Sequence, residues 1–170
     1  MELIFYSFFG VCFICHLFRT SYHVLENRKS KFVKSKKFYL AISISMFFLW
    51  FSWFAMSFND PIKMNLSLLK YFGLLLFIVG VVFVVLSHIK IKGYDTEKLY
   101  TNGIYSKIRH PMYLGFILWI IGLPIFLQGF ITLLSAVIWI PQIMYWKSSE
   151  EKDLEKKFKN YKEYEKKTWF

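Results

Sequence analysis

Apolar residues in this chain come in long blocks rather than along one face of each helix. FYLAISISMFFLWFSWFAMSF, residues 38–58, runs 21 positions without a charge. A helix with no wet face has hydrocarbon as its solvent. Five such blocks are legible, at about 2–18, 38–58, 66–89, 112–127 and 129–146. The first is short for a hydrocarbon core of roughly 30 Å, and the last two are barely long enough, so tilt or local thinning is expected. Gly122 and Pro124, followed by Gln128 and Gly129, interrupt what would otherwise be a single apolar helix from 112 to 146, so a tight hairpin is expected there.

The polar segments between and after these blocks complete the expected architecture. Asn59-Asp60-Pro61 reads as a short turn, because Asn and Asp bond their own backbone and Pro fixes φ. Beyond the last block, KSSEEKDLEKKFKNYKEYEKK places Leu154, Phe158, Tyr161 and Tyr164 at helical intervals among charges. That pattern predicts a separate amphipathic helix capped by Ser148 or Ser149, with acidic residues in its first turn. The fold class is therefore an all-α integral membrane protein: five transmembrane helices, the last two a tight hairpin, plus a C-terminal cytoplasmic amphipathic helix. One membrane domain is expected over 1–170, divided into three N-terminal spans (1–90) and a core bearing the chemistry (91–170). Glu2 stands where a signal peptide would carry a basic leader, so the first block is expected to remain a span.

Charge fixes the expected orientation. The net charge of +11 would suggest nucleic acid in a water-soluble chain, yet its distribution points elsewhere. Seven Lys or Arg lie between Arg19 and Lys37, five between Lys90 and Arg109, and eight between Lys147 and Lys167; only Lys63 and Lys70 remain. Positive segments are retained in the cytoplasm, so these three belong on one side of a cell membrane and the Asn59–Pro61 turn on the other. The expected topology is multi-pass, with the N-terminus outside and the C-terminus and active site cytoplasmic. Anionic membrane lipids are the expected partners of the basic segments, and nucleic acid is not.

Cys12, Cys15 and His16 form a C-x-x-C-H string that could bind a metal or do redox chemistry. They lie inside an apolar helix with no further ligands nearby in sequence, so helix packing is the reading and no metal is expected.

The polar residues that could do chemistry fall in two segments, KGYDTEKLYTNGIYSKIRHPMY before the hairpin and SSEE after it. A tight hairpin returns the chain to the side it left, so the two should face each other. Pro111 disfavours helix at His110 and suits a first helical turn, so a helix is expected to start at Pro111. Free N–H groups of that turn would then offer a place for an anion, with Arg109 and His110 beside it. Gly103 permits a sharp turn before Tyr105, and Gly115 permits close approach of another helix. Taken singly, Arg109 could be a snorkelling anchor, Tyr105 and Tyr113 interfacial aromatics, His110 a cap, and Glu150 and Glu151 first-turn residues.

Taken together, Gly103-x-Tyr105-x-x-x-Arg109-His110-Pro111-x-Tyr113-x-Gly115 and Glu150-Glu151-x-x-Leu154-x-x-x-Phe158-x-x-Tyr161-x-x-Tyr164 resemble the isoprenylcysteine carboxyl methyltransferase family and its phospholipid methyltransferase relatives. The resemblance covers roughly 97–165. It implies an S-adenosylmethionine site in which Leu99 and Tyr100 line the adenosyl group. Tyr105, His110, Pro111, Met112 and Tyr113 would contact the cofactor around the R-H-P motif, and Glu150 would supply a cofactor-binding carboxylate. Lys159 stands where the family commonly has Gly, and Trp146 stands near where the eukaryotic branch uses an Arg for substrate.

The chemistry suits such a site. Methyl transfer from a sulfonium is a direct displacement, so the protein mainly holds donor and nucleophile in line and excludes water. Arg109 and His110 are the expected catalytic residues, with Arg109 positioning an acidic head group or the cofactor's carboxylate. The expected acceptor is a lipophilic small molecule or lipid. An NADPH-dependent enzyme resembling sterol reductases and a membrane protein without chemistry are the alternatives; oligomeric state is open.

Overall fold

A computed structural model describes residues 2–27, 36–91 and 98–170. Two parts of the expected basic loops, residues 28–35 and 92–97, lie outside the described residues. Six helices follow in order: α1 (Glu2–Asn27), α2 (Lys36–Phe58), α3 (Leu69–Lys90), α4 (Pro111–Leu127), α5 (Phe130–Lys157) and α6 (Tyr161–Lys167). Among the described residues there is no strand, only isolated bridges pairing Lys63 with Gly129 and Ile108 with Trp169. Glu2–Leu25, Leu40–Phe58, Leu69–Lys90 and Phe130–Lys157 are long and apolar enough to cross a membrane, while the apolar α4 is shorter.

Burial runs opposite to that of a water-soluble protein. Val137, Leu3, Phe47 and Leu134 are exposed, whereas His16, Ser52, Ser57, Ser87 and Thr132 are buried. Large apolar side chains facing outward over whole helices need lipid as their solvent, so the chain is an integral membrane protein. The inward serines avoid unpaired hydroxyls by bonding back along their own helices, as Ser57 does to the Trp53 carbonyl at 2.8 Å.

Two helix pairs and one long helix make the bundle. α1 packs on α2, in part through aromatic contacts such as Phe8 against Phe51. α3 and α4 share the closest seam, which glycines permit. A Cβ on Gly122 would stand 2.5 Å from the Phe77 amide nitrogen, and one on Gly115 would stand 2.7 Å from the Gly80 carbonyl oxygen. Gly73 and Gly80 meet the backbone of Gly122 and Gly115 in return. Each helix thus presents two glycines seven residues apart, about two turns, and the backbones touch at both levels. The close approach expected at Gly115 is present.

Two boundaries and one expected helix break differ from the sequence expectation. α1 continues to Asn27, so the first span is not short. Gly122 and Pro124 stay inside α4 without breaking it, and the hairpin turns at Gln128, where the spans 112–127 and 129–146 put it; Gln128 takes the left-handed conformation with φ 59°. Beyond the proline the last turn is closed by backbone bonds, the Gln128 amide donating to the Ile125 carbonyl and the Gly129 amide to the Pro124 carbonyl. Finally, α5 runs unbroken from Phe130 to Lys157, so Ser148 and Ser149 are interior positions rather than caps. Once a helix is nucleated each further residue adds a hydrogen bond, and nothing between Trp146 and Lys157 breaks it. The only separate C-terminal helix is the seven-residue α6.

The other end of α5 is latched. Asp60 is 4% exposed and its Oδ2 accepts from the Thr132 amide at 2.6 Å and the Thr132 hydroxyl at 2.7 Å. Its Oδ1 accepts from the Ile62 amide at 3.0 Å. A carboxylate from the α2–α3 turn therefore caps α5 in place of a residue of its own. Gly122→Ala should lower stability by about 1–3 kcal/mol, since its methyl meets backbone rather than a movable side chain. Thermal unfolding in detergent would show this as a lowered Tm, with Gly10→Ala, which has open space, close to the parent.

Candidate functional site

Local sequence builds the start of α4. Pro111 occupies its first position and His110 precedes it at φ −125° and ψ 61°, with no side-chain cap on the helix. The helix entrance expected from the R-H-P string is thus present, and Pro111 and Tyr113 are buried. Upstream, Gly103 at φ 64° opens a 3-10 turn over Gly103–Ser106 that buries Tyr105.

Glu151 gathers the cations at this entrance. Its Oε1 accepts from Arg109 Nε at 3.2 Å and from Lys147 Nζ at 3.0 Å, and lies 3.3 Å from His110 Nε2. The His110 contact is a close approach rather than an aligned hydrogen bond, and it is an ion pair only when the imidazole is protonated. Arg109 is fully engaged: Nη2 also lies 3.2 Å from Glu151, and Nη1 donates to the carbonyls of Glu165 (3.0 Å) and Thr168 (2.8 Å). Burial pushes the Glu151 carboxyl up, but His110 and Lys147 beside it outweigh this and hold the group down at about 2.

The chain beyond α6 lies along the same motif. The Trp169 amide donates to the Lys107 carbonyl at 3.0 Å, the Arg109 amide to Trp169 at 3.1 Å, and the His110 amide to Phe170 at 3.2 Å. The Tyr164 hydroxyl donates to the Tyr105 carbonyl at 2.6 Å. Lys147 Nζ stands 5.1 Å over the Phe170 ring, a cation–π distance. Residues 107–110 are thereby held from both sides, by α5 through Glu151 and by the tail through its backbone.

Glu150, one helical step from Glu151, points elsewhere. It is exposed, no ion pair among the described residues uses it, and its carboxylate acts on the hydroxyls of both Tyr105 and Tyr113. Burial, with Glu150 and Tyr100 nearby, pushes the Tyr105 hydroxyl up to about 12 despite a hydrogen bond with Ser87. Tyr100 and Tyr105 lie 6.3 Å apart by ring centroids, and His110 and Tyr113 5.7 Å. Leu99 and Tyr100 line a cleft of about 550 Å³ with Ile89, Lys90, Lys98, Thr101 and Asn102. Met112 packs against the apolar core. Tyr105, Tyr113 and Glu150 therefore come together, and Leu99 and Tyr100 adjoin them through Tyr105. Arg109 and His110 sit at the neighbouring ion cluster.

That arrangement spans the two segments that the hairpin was expected to bring together. The sequence pattern of phospholipid methyltransferases matches residues 68–161, more than half of the chain. The chain belongs to the phospholipid methyltransferase family. Over 43 residues it is 44% identical to protein-S-isoprenylcysteine O-methyltransferase of Schizosaccharomyces pombe, covering 24% of this chain and 18% of that protein. Over 53 residues it is 38% identical to protein-S-isoprenylcysteine O-methyltransferase B of Arabidopsis thaliana, covering 30% and 27%. The matched stretches thus span less than a third of either relative. No solved structure matches.

Within this phospholipid methyltransferase family member, sequence reasoning missed Glu151 as the ion hub, along with Lys147 and the Trp169–Phe170 tail. The spacing of Lys147 and Glu151 at i and i+4 was a readable signal for one pair, while backbone pairing by the tail leaves no residue signature. Glu151→Gln should cost about 1–3 kcal/mol by leaving the Arg109 and Lys147 cations and the neighbouring His110 without their carboxylate. Because the folded group titrates below its ordinary 4.5, its contribution is full above that pH and is lost as pH falls toward 2. The Tm gap between parent and variant should accordingly close between about pH 5 and 2; a gap constant over that range would contradict the assignment.

Proposed function

We propose that the chain is an S-adenosylmethionine-dependent methyltransferase acting on a lipophilic acceptor at the cytoplasmic face of the cell membrane. The observation that carries it is the exposed Glu150 carboxylate, outside the Glu151 ion cluster and beside Tyr105 and Tyr113 at an uncapped helix start. When bound, S-adenosylmethionine would supply an electrophilic methyl group on a sulfonium. The residues present fit such a molecule: an exposed carboxylate and tyrosine rings suit its cationic groups, and the cleft beside Leu99 and Tyr100 offers room for an aromatic base. The Met112 and Tyr113 amides, which begin α4 behind Pro111, suit its carboxylate.

The chain's own work is then mostly positioning. Glu150 orients the donor, Tyr113 forms a buried wall that excludes water, and His110 is held at the helix start by Glu151. Arg109 does its part by fixing residues 107–110 rather than by touching a ligand, as its donors are engaged within the chain. Membrane embedding suits an acceptor that reaches the interface from the bilayer, which spares it about 0.8 kcal/mol per CH₂ of exposure to water. Five spans, counting the short α4, would leave the N-terminus outside and this site inside, in accord with the basic segments.

Glu150→Ala and His110→Ala should each weaken S-adenosylmethionine binding about tenfold, roughly the 1.4 kcal/mol of one charged contact. Glu150→Ala should do so with Tm unchanged, unlike Glu151→Gln. Isothermal titration of the detergent-purified chain would measure this, and parent-like binding in both variants would refute the site. Binding of NADPH without S-adenosylmethionine would refute the reaction class. Membranes incubated with labelled methyl donor and a lipid extract should yield a labelled lipophilic product whose mass identifies the acceptor.

A further inference from the structure

Helix α1 lies outside the stretch that matches the family, yet it brings polar groups to the same end of the bundle. His16 is 0% exposed and its ring is stacked against both Trp139 (4.4 Å, 18°) and Trp146 (5.1 Å, 20°) of α5. The two indoles are fixed, Trp139 donating to Ser135 Oγ at 2.8 Å and Trp146 to Thr20 Oγ1 at 3.1 Å. The slot they bound is therefore rigid.

Four polar atoms in this seam are buried with no hydrogen-bond partner: both ring nitrogens of His16, Arg19 Nε and Gln142 Oε1. Gln142 stands beside His16, but no aligned hydrogen bond joins them. Each such atom costs about 1–3 kcal/mol, and folded proteins hold only a few per hundred residues. Four in one seam leave it short of hydrogen-bond partners that a polar head group entering between the helices would supply. The Arg19 guanidinium lies 5.0 Å over the Tyr22 ring and 6.0 Å over Trp146, and it acts on the Tyr113 hydroxyl alongside Glu150. A cation is thus set at the junction between the seam and the donor site. Outward from the seam, Leu17, Phe13 and Val137 are exposed to lipid.

We propose that the α1–α5 seam binds the head group of an amphiphile that carries an anionic oxygen together with an N–H or O–H donor. Arg19 provides the counter-charge, His16 one donor and one acceptor, and Gln142 Oε1 a second acceptor, while the tail continues into the bilayer past Leu17 and Val137. The acceptor class is set by chemistry alone: a carboxylate or a phosphate monoester would satisfy Arg19 equally. That this amphiphile is the methyl acceptor rests on the proposed methyltransferase function; its binding does not. An acceptor held at Arg19 would lie next to Tyr113, on whose hydroxyl Glu150 also acts. Specificity for the acceptor would then reside in the N-terminal helix, outside the shared core.

The test uses the full chain purified in a neutral maltoside detergent, without methyl donor. N-oleoylglycine, dodecyl phosphate and oleyl alcohol are titrated while tryptophan fluorescence is followed. At least one of the two anions should bind saturably and the alcohol should not; which anion binds names the source. Arg19→Gln should weaken that binding tenfold or more, whereas Lys152→Gln, at an exposed cation on the same side, should not change it. His16→Phe keeps the ring stack and removes two unpartnered nitrogens, so it should raise Tm while weakening binding at least threefold. A purely structural histidine would show the first effect without the second. Parent-like anion binding in both Arg19→Gln and His16→Phe, equal binding of the alcohol, or no saturable binding would overturn the proposal. Anion binding in a chain that fails to bind S-adenosylmethionine would leave the slot standing and remove only its role as acceptor site.

Discussion

One carboxylate organises the polar end of this bundle. Glu151 meets Arg109, His110 and Lys147 within 3.3 Å, and its partner Arg109 ties down the tail carbonyls of Glu165 and Thr168. Isolated surface pairs contribute little, because solvent screens them and side-chain entropy opposes them. Here one acceptor serves two donors, Arg109 and Lys147, in a partly buried place with His110 alongside, so side chains already held by one contact lose less freedom in making the next. The cost of gathering these groups is offset by a single anion, and the R-H-P motif is fixed as a consequence.

Glycine contacts supply the complementary rigidity in the hydrocarbon. Between α3 and α4 the backbones meet at Gly73–Gly122 and Gly80–Gly115. In lipid no hydrophobic force drives helices together, so close van der Waals approach takes its place. The tyrosines of the site hang from this seam: Tyr113 lies on α4 just before Gly115, and Tyr105 with its Ser87 contact lies at the end of α3. The geometry of the proposed donor site therefore rests on the two helices least able to move relative to each other.

What was legible in the sequence was what depends on a few neighbouring residues. His110 and Pro111 announce a helix start because proline restricts both positions, and Gly115 announces a close approach because it lacks a side chain. The long charge-free blocks announce spans for the same local reason. What was not legible depends on where a helix stops. Ser148-Ser149-Glu150-Glu151 has the composition of a helix start, yet it falls inside α5, and continuation of that helix decides which glutamate faces which neighbour. The Cys12-Cys15-His16 string was read as packing, and the His16 ring does stack on Trp139 and Trp146, but its unpartnered nitrogens are a property of the seam and not of the string.

The continuity of α5 carries a constraint on length. Asp60 grips Thr132 at one end, and nineteen residues later, about 28 Å along the axis, Glu150 and Glu151 stand side by side with directions about 100° apart. A single residue inserted between these points would turn the far end by one step. The hub carboxylate would swing out of reach of Arg109, and a different side chain would replace it. α5 thus behaves as a calibrated rod whose residue count is fixed at both ends, so its composition can drift freely along the lipid-facing side while its length cannot change by even one position.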